Sequence, residues 1–178
     1  TNYYGEYTLT TSVSDLPEFY KLSFTGGTDI ATGEPIVGEL SSISTRNAAV
    51  SASTPNLFIS PISTLVVLKV EEVISDTNTV LDSDLISSKE TELATALGIT
   101  ATDINKDYIQ EENSTIAKIT QQREVITNTL STVGGSGLNK QTIMTSLAST
   151  IQGTGFDLSN ETNILNIITN VESDASIT

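Results

Sequence analysis

The chain has no cysteine, no histidine and no tryptophan among its 178 residues. Without cysteine there is no disulfide framework, no thiolate nucleophile and no cysteine zinc site. Without histidine the usual general base near neutral pH is gone, together with the commonest transition-metal ligand. Ser-His-Asp and Cys-His catalysis are therefore excluded, although a pair of carboxylates could still hydrolyse a glycoside. The missing tryptophan removes the preferred platform for stacking a sugar ring. Long apolar runs are missing too. The longest, Leu65–Val70, is interrupted by Lys69 and falls far short of the ~20 residues that cross a bilayer. No secretion signal is visible, so the chain is expected to be a mature protein or an excised fragment.

Basic residues are scarce: 8 Lys and Arg face 22 Asp and Glu, for a net charge of −14. That field repels polyanions, so nucleic acid is not an expected partner, and an anionic membrane surface is disfavoured for the same reason. Divalent cations suit such a surface, although acidity also serves solubility alone. In place of charge the chain has hydroxyls: 50 residues are Ser or Thr. This composition suits an exported Gram-negative protein. The apolar residues fall into periodic runs, which marks a folded chain rather than a disordered one.

Residues 1–60 read as β. Tyr3–Thr11 is rich in aromatic and β-branched residues, and Phe19–Thr25 alternates apolar and polar up to the Gly26-Gly27 turn. Ile36–Leu40 and Ala48–Ala52 are further strand candidates, punctuated by Pro17, Pro35 and Pro55. A sheet of three or four such strands needs a partner surface, either a sandwich or another subunit. Residues 61–178 read as five helices in a bundle. The first, Ile62–Ile74, is started by Ser60-Pro61 and is apolar nearly all round. The second runs from Asp82-Ser83-Asp84 to Gly98, with Leu85, Ile86, Leu93, Ala94 and Leu97 inward. The third, Asn113–Thr132, carries Ile116, Ile119, Ile126, Leu130 and Val133 at three-four spacing and ends at Gly134–Gly137. The fourth is Asn139–Gln152. The fifth, Asn160–Glu172, is capped by Ser159 and places Ile164, Leu165, Ile167, Ile168 and Val171. Leu65, Leu68, Ile119, Ile126, Leu147 and Ile168 are the expected core. The fold class is α+β: a short antiparallel β segment over about 1–58, then a bundle of about five helices over about 61–172.

Asp103, Asn105, Asp107, Glu111 and Glu112 space oxygen side chains as a tight calcium loop does. Tyr108 stands where an EF-hand needs glycine and Ser114 where it needs glutamate, so the loop is not of that type. The same residues suit a short helix begun by Asp103 with a solvated flank. Asp29 and Glu34, in the glycine-rich stretch Gly26–Gly33, form a second carboxylate group, readable equally as an ordered Asx turn. The sequons at Asn113 and Asn160 both read as helix caps. Tyr3, Tyr4, Tyr7 and Leu9 crowd the first strand candidate and suit either cross-strand packing or contact with another copy.

Gly26-Gly27-Thr28-Asp29 through Thr32-Gly33, followed by Ile59-Ser60-Pro61-Ile62-Ser63-Thr64-Leu65, Glu92–Ile99 and Thr102–Asn105, resembles modules of large secreted bacterial adhesins and surface proteins. In those, a Gly-Gly-x-Asp-x-x-Thr-Gly turn precedes a Ser/Thr-Pro-Leu-Thr-Thr-Leu helix start; here Ile62-Ser63 replaces Leu-Thr. The first strands also look like the end of a carboxypeptidase-regulatory-like β-sandwich. The resemblance covers about residues 19–133. It implies an extracellular structural or adhesive role, with copies of the chain or neighbouring modules as partners, and brings no catalytic residues. A filament or layer subunit is one form of that role. The alternative is a carbohydrate-binding accessory domain, which the aromatic cluster favours and the missing tryptophan opposes.

Overall fold

The computed structural model describes residues 7–28, 36, 38–51, 57–77, 79–107, 113–133 and 138–174. It is an α+β protein, with a two-stranded antiparallel sheet followed by helices. Strand β1 (Phe19–Thr25) pairs with β2 (Glu39–Thr45) in a register that sets Phe19 against Thr45 and Thr25 against Glu39. The alternation read in Phe19–Thr25 forms the expected strand. The strand expected at Ile36–Leu40 begins three residues later, at Glu39, after Gly38 turns the chain with φ +97°.

Two β expectations are corrected. Tyr7–Ser12 carries no strand, and only a short 3-10 turn, Val13–Asp15, follows it. β-propensity needs a ladder partner to be realised, and no described strand lies beside this segment. The stretch expected as a strand at Ala48–Ala52 is instead helical: α1 spans Arg46–Ser51. The Thr45 hydroxyl accepts the Ala48 N–H at 3.1 Å, starting a turn that two alanines then favour. Ala52 lies outside the described residues.

Five longer helices follow, with boundaries close to those expected: α2 (Pro61–Thr77), α3 (Ser83–Leu97), α5 (Ser114–Val133), α6 (Lys140–Thr150) and α7 (Glu161–Asp174). A four-residue α4 (Ala101–Ile104) joins α3 to the next segment. Ser60 caps α2 by accepting the Ser63 N–H at 3.0 Å, and Pro61 occupies the first turn where no N–H is needed. Asp82 caps α3 by accepting from Leu85, and Gly98 ends it in the left-handed region at φ +69°. Asn113 and Asn139 cap α5 and α6 through their side-chain oxygens. The cap of α7 is Asn160, not Ser159: Asn160 Oδ1 accepts from Thr162 and Asn163, while the Ser159 hydroxyl is turned to Asp157. Both sequons thus begin helices.

Helix α2 is the centre, packed by β2, α3 and α6, with α7 and α5 against α6. Its run Leu65-Val66-Val67-Leu68-Lys69-Val70 is buried throughout. Leu65, Leu68, Ile119, Ile126 and Leu147 join the core as expected. Ile168 does not. On α7 the inward stripe is Ile164, Ile167 and Val171, so Ile168 sits half-buried beside it and Leu165 is exposed. Val133, at the last position of α5, is also exposed. The loop after α6 is tied down where the Phe156 N–H donates to the Ala96 carbonyl at the end of α3.

Candidate functional site

The surface that the fold builds with most definition is the edge of the β1–β2 hairpin. Antiparallel strands alternate between residues that exchange hydrogen bonds and residues whose N–H and C=O point outward. Ser41 is of the second kind. Its N–H donates to Thr64 Oγ1 at 2.9 Å, and its carbonyl accepts from Ser63 Oγ at 2.8 Å. Ser63 Oγ in turn accepts the Ser60 N–H at 2.8 Å, and Thr64 Oγ1 donates to the Ser60 carbonyl at 2.7 Å. Ser41, Ser60, Ser63 and Thr64 are all buried. The first turn of α2 therefore holds the outer edge of β2 at Ser41 through the Ser63 and Thr64 hydroxyls, each of which both donates and accepts.

The parity carries across to β1. Ser41 faces Ser23 and Ile43 faces Lys21. The Glu18 carbonyl bonds the Arg46 N–H at 2.8 Å, which fixes the even residues of β1 as those bonded to β2. The N–H and C=O groups of Phe19, Lys21, Ser23 and Thr25 therefore point away from β2. No partner for them occurs among the described residues. Side chains sort by the same parity. Tyr20, Leu22 and Phe24 share one face with Leu40, all half-buried and outside the bundle core. The opposite face carries Lys21, whose ammonium lies 2.9 Å from Glu71 on α2 and 3.2 Å from Glu39. The hydrogen bond that the Lys21 ammonium donates to Glu71 is the main reason that it is held above its ordinary pKa, against a smaller opposing pull from burial. The hydroxyl of Ser23, then the ammonium of Lys21, hold Glu39 below the usual carboxylate range.

No family model, curated protein or solved structure matches the chain.

The residues expected to hold calcium are placed as follows. Asp103 is the third residue of α4, in a capping box: its Oδ2 accepts from the Thr100 N–H at 3.0 Å and the Thr100 hydroxyl at 2.6 Å. Those two bonds, the hydroxyl first, lower its pKa. The Asn105 amide donates to Glu90 on α3 at 2.9 Å. Asp107 is half-buried, and Glu111 and Glu112 lie outside the described residues, as do Asp29 and Glu34. Among the described residues, no three carboxylates come together as metal ligands do. Asp103→Ala is expected to cost about 1 kcal/mol, the worth of a helix cap. Thermal melts of the parent and of this variant in calcium and in chelator test whether Asp103 also serves a cation: a calcium response of the parent that the variant loses assigns it that second role. Of the residues expected for self-association, Tyr3 and Tyr4 lie outside the described residues. Tyr7 and Leu9 are exposed, at 39% and 67%, with no strand around them. Partial burial still raises the Tyr7 hydroxyl above the ordinary value.

Two open clefts accompany the edge. One, of about 260 Å³, is lined by Ser149, Thr150, Gln152, Asn166, Thr169 and Asn170 between α6 and α7. The other, about 300 Å³, lies between β2, α1 and α3 and contains Glu90 and Asn105. Among the described residues no helix is long and apolar enough to cross a membrane. Reading along the sequence misses Lys21 and Ser23 as edge residues and Ser63 and Thr64 as the seal. Only the hydroxyls crowded at Ser60, Ser63 and Thr64 on the apolar start of α2 hint at the latter.

Proposed function

We propose that the chain is a non-enzymatic structural or adhesive module of an extracellular bacterial surface protein. It holds its place by association with copies of itself or with neighbouring modules. The observation that carries this reading is the outer edge of β1, whose N–H and C=O groups have no partner among the described residues, flanked by the apolar face of Tyr20, Leu22, Phe24 and Leu40. Soluble proteins usually blunt, charge or cover such an edge, because it templates pairing with another chain. The acidic, hydroxyl-rich composition and the order of short motifs shared with adhesin modules agree with an exterior setting. Light scattering on the full chain, with calcium present, is expected to show mass above that of a monomer, rising with concentration. A strictly monomeric chain at millimolar concentration would remove this reading.

The second reading, a carbohydrate-binding domain, is favoured by the cleft between α6 and α7. Its lining is all hydroxyl and amide, with no charge. A glycan array separates the two, since a saturable hit lost in Asn166→Ala belongs to the second alone.

A further inference from the structure

We propose that two copies of the chain pair their β1 strands antiparallel across a two-fold axis at Leu22, joining the two hairpins into one four-stranded sheet. This rests on the association reading above and names its contact. The outward groups of β1 belong to Phe19, Lys21, Ser23 and Thr25. A second β1 running antiparallel can bond them only in registers that oppose one outward residue to another. The register centred on Leu22 uses all four: Phe19 meets Thr25 of the second copy, and Lys21 meets Ser23. Shifting the axis to Lys21 would set two ammonium groups against each other, and shifting it to Ser23 would leave Phe19 unpaired. The Leu22 register is therefore the one with full overlap and no like-charge pair.

Charge and burial point to the same contact. In a chain of net charge −14, β1 contains no acid at all. Lysine on an edge strand ordinarily guards against pairing. Here Lys21 is drawn to Glu39 and Glu71 instead, and the guard is neutralised. On the other face, Tyr20 of one copy would lie beside Phe24 of the second, with Leu22 against its own equivalent. A half-exposed apolar patch would thereby double into a continuous one. The outer edge of β2 is occupied at Ser41 by α2, whereas no outward group of β1 has a partner among the described residues. Because the contact is self-complementary, it closes as a dimer; longer assemblies need a second surface.

The test uses the absence of native cysteine. At the axis, Leu22 and its equivalent form a non-hydrogen-bonded pair with Cα atoms ~4.5 Å apart, within disulfide range. Full-length Leu22→Cys, oxidised with diamide, is expected to run almost entirely as a covalent dimer on a non-reducing gel. Phe24→Cys, about four residues from its own equivalent, is expected to stay monomeric on the same gel. Leu22→Lys, on a half-exposed face and so compatible with folding, is expected to weaken dimerisation at least tenfold in sedimentation while leaving the circular dichroism spectrum unchanged. Two results would overturn the contact: a Leu22→Cys chain that does not cross-link more than Phe24→Cys, or a Leu22→Lys chain that associates as the parent does. If the parent still associates in those cases, the association reading stands without this contact. A parent that never associates removes both.

Discussion

Leu65→Ala is expected to destabilise the protein by about 3–5 kcal/mol, read as a lowered urea midpoint at unchanged slope. Leu65 is 1% exposed on the helix that β2, α3 and α6 all pack against. Removing its three outer carbons loses their transfer free energy and leaves a cavity. The residues around it are themselves held by other elements and cannot all move in to fill it. The neighbours in the cluster include Ile62, Leu93, Ile143 and Leu147, each 2% exposed or less. A matched substitution at an apolar but exposed position, Leu165→Ala on α7, is expected to change stability by no more than about 0.5 kcal/mol. Leu165 is 55% exposed although Ile164 and Ile167 beside it on α7 pack on the core. If the two variants cost the same, α2 is not the centre of the bundle.

That contrast also shows what the sequence reveals and what it hides. The helices were legible because caps and three-four periodicity are local: Asp82, Asn113 and Asn139 start helices through bonds to residues three positions on. The strand Phe19–Thr25 was legible for the same reason, as its alternation ends at two glycines. Which of two adjacent isoleucines on α7 points inward depends on where α6 lies, and a stripe as broad as Ile164–Ile168 does not disclose it. Ala48–Val50 read as a strand by residue type, yet a hydroxyl cap from Thr45 decided for helix. The edge of β1 was the hardest to foresee. Which groups of β1 point outward, with no partner among the described residues, follows from strand parity, and β2 is engaged by Ser63 and Thr64 reaching Ser41 across about twenty residues of sequence; no local pattern carries either. The alternation of Asp103, Asn105 and Asp107 fits ligand spacing and a helix start alike, because both ask for an acid at the same place; Asp103 stands in the capping box of α4, and Glu111 and Glu112 lie outside the described residues.

Lys69 interrupts the apolar run of α2, and its charge is the one whose partner matters most to stability. Its side chain is 3% exposed, and its ammonium lies 2.8 Å from Glu92 on α3, which Lys89 also holds at 2.7 Å. Deleting Glu92 would leave an ammonium in the core without a counter-ion. Breaking a fully buried pair in this way costs ~3–5 kcal/mol. Glu92 is 33% exposed, so water reaches its carboxylate and the expected cost of Glu92→Ala is nearer 2–3 kcal/mol. Lys69→Met, which keeps the stem and removes the charge, is expected to be close to neutral, because the desolvation of the ammonium disappears along with the pair. The double variant Lys69→Met/Glu92→Ala should therefore recover most of the loss, and a double-mutant cycle from urea melts measures the coupling. Acid gives a second readout. Burial alone would raise the Glu92 carboxyl, but the bonds and charges of Lys69 and Lys89 outweigh it and hold its pKa below the ordinary 4.5. A carboxyl lowered in the folded state contributes stability that is present above its unfolded value and is lost as pH falls through the folded one. The parent should thus lose stability below about pH 4.5, where Glu39 and Asp103, lowered in the same direction, add to the slope. Glu92→Gln should be less stable at pH 7 and should lose less on acidification. If the parent and Glu92→Gln curves run parallel from pH 7 to pH 3, Glu92 does not stabilise the core through its charge.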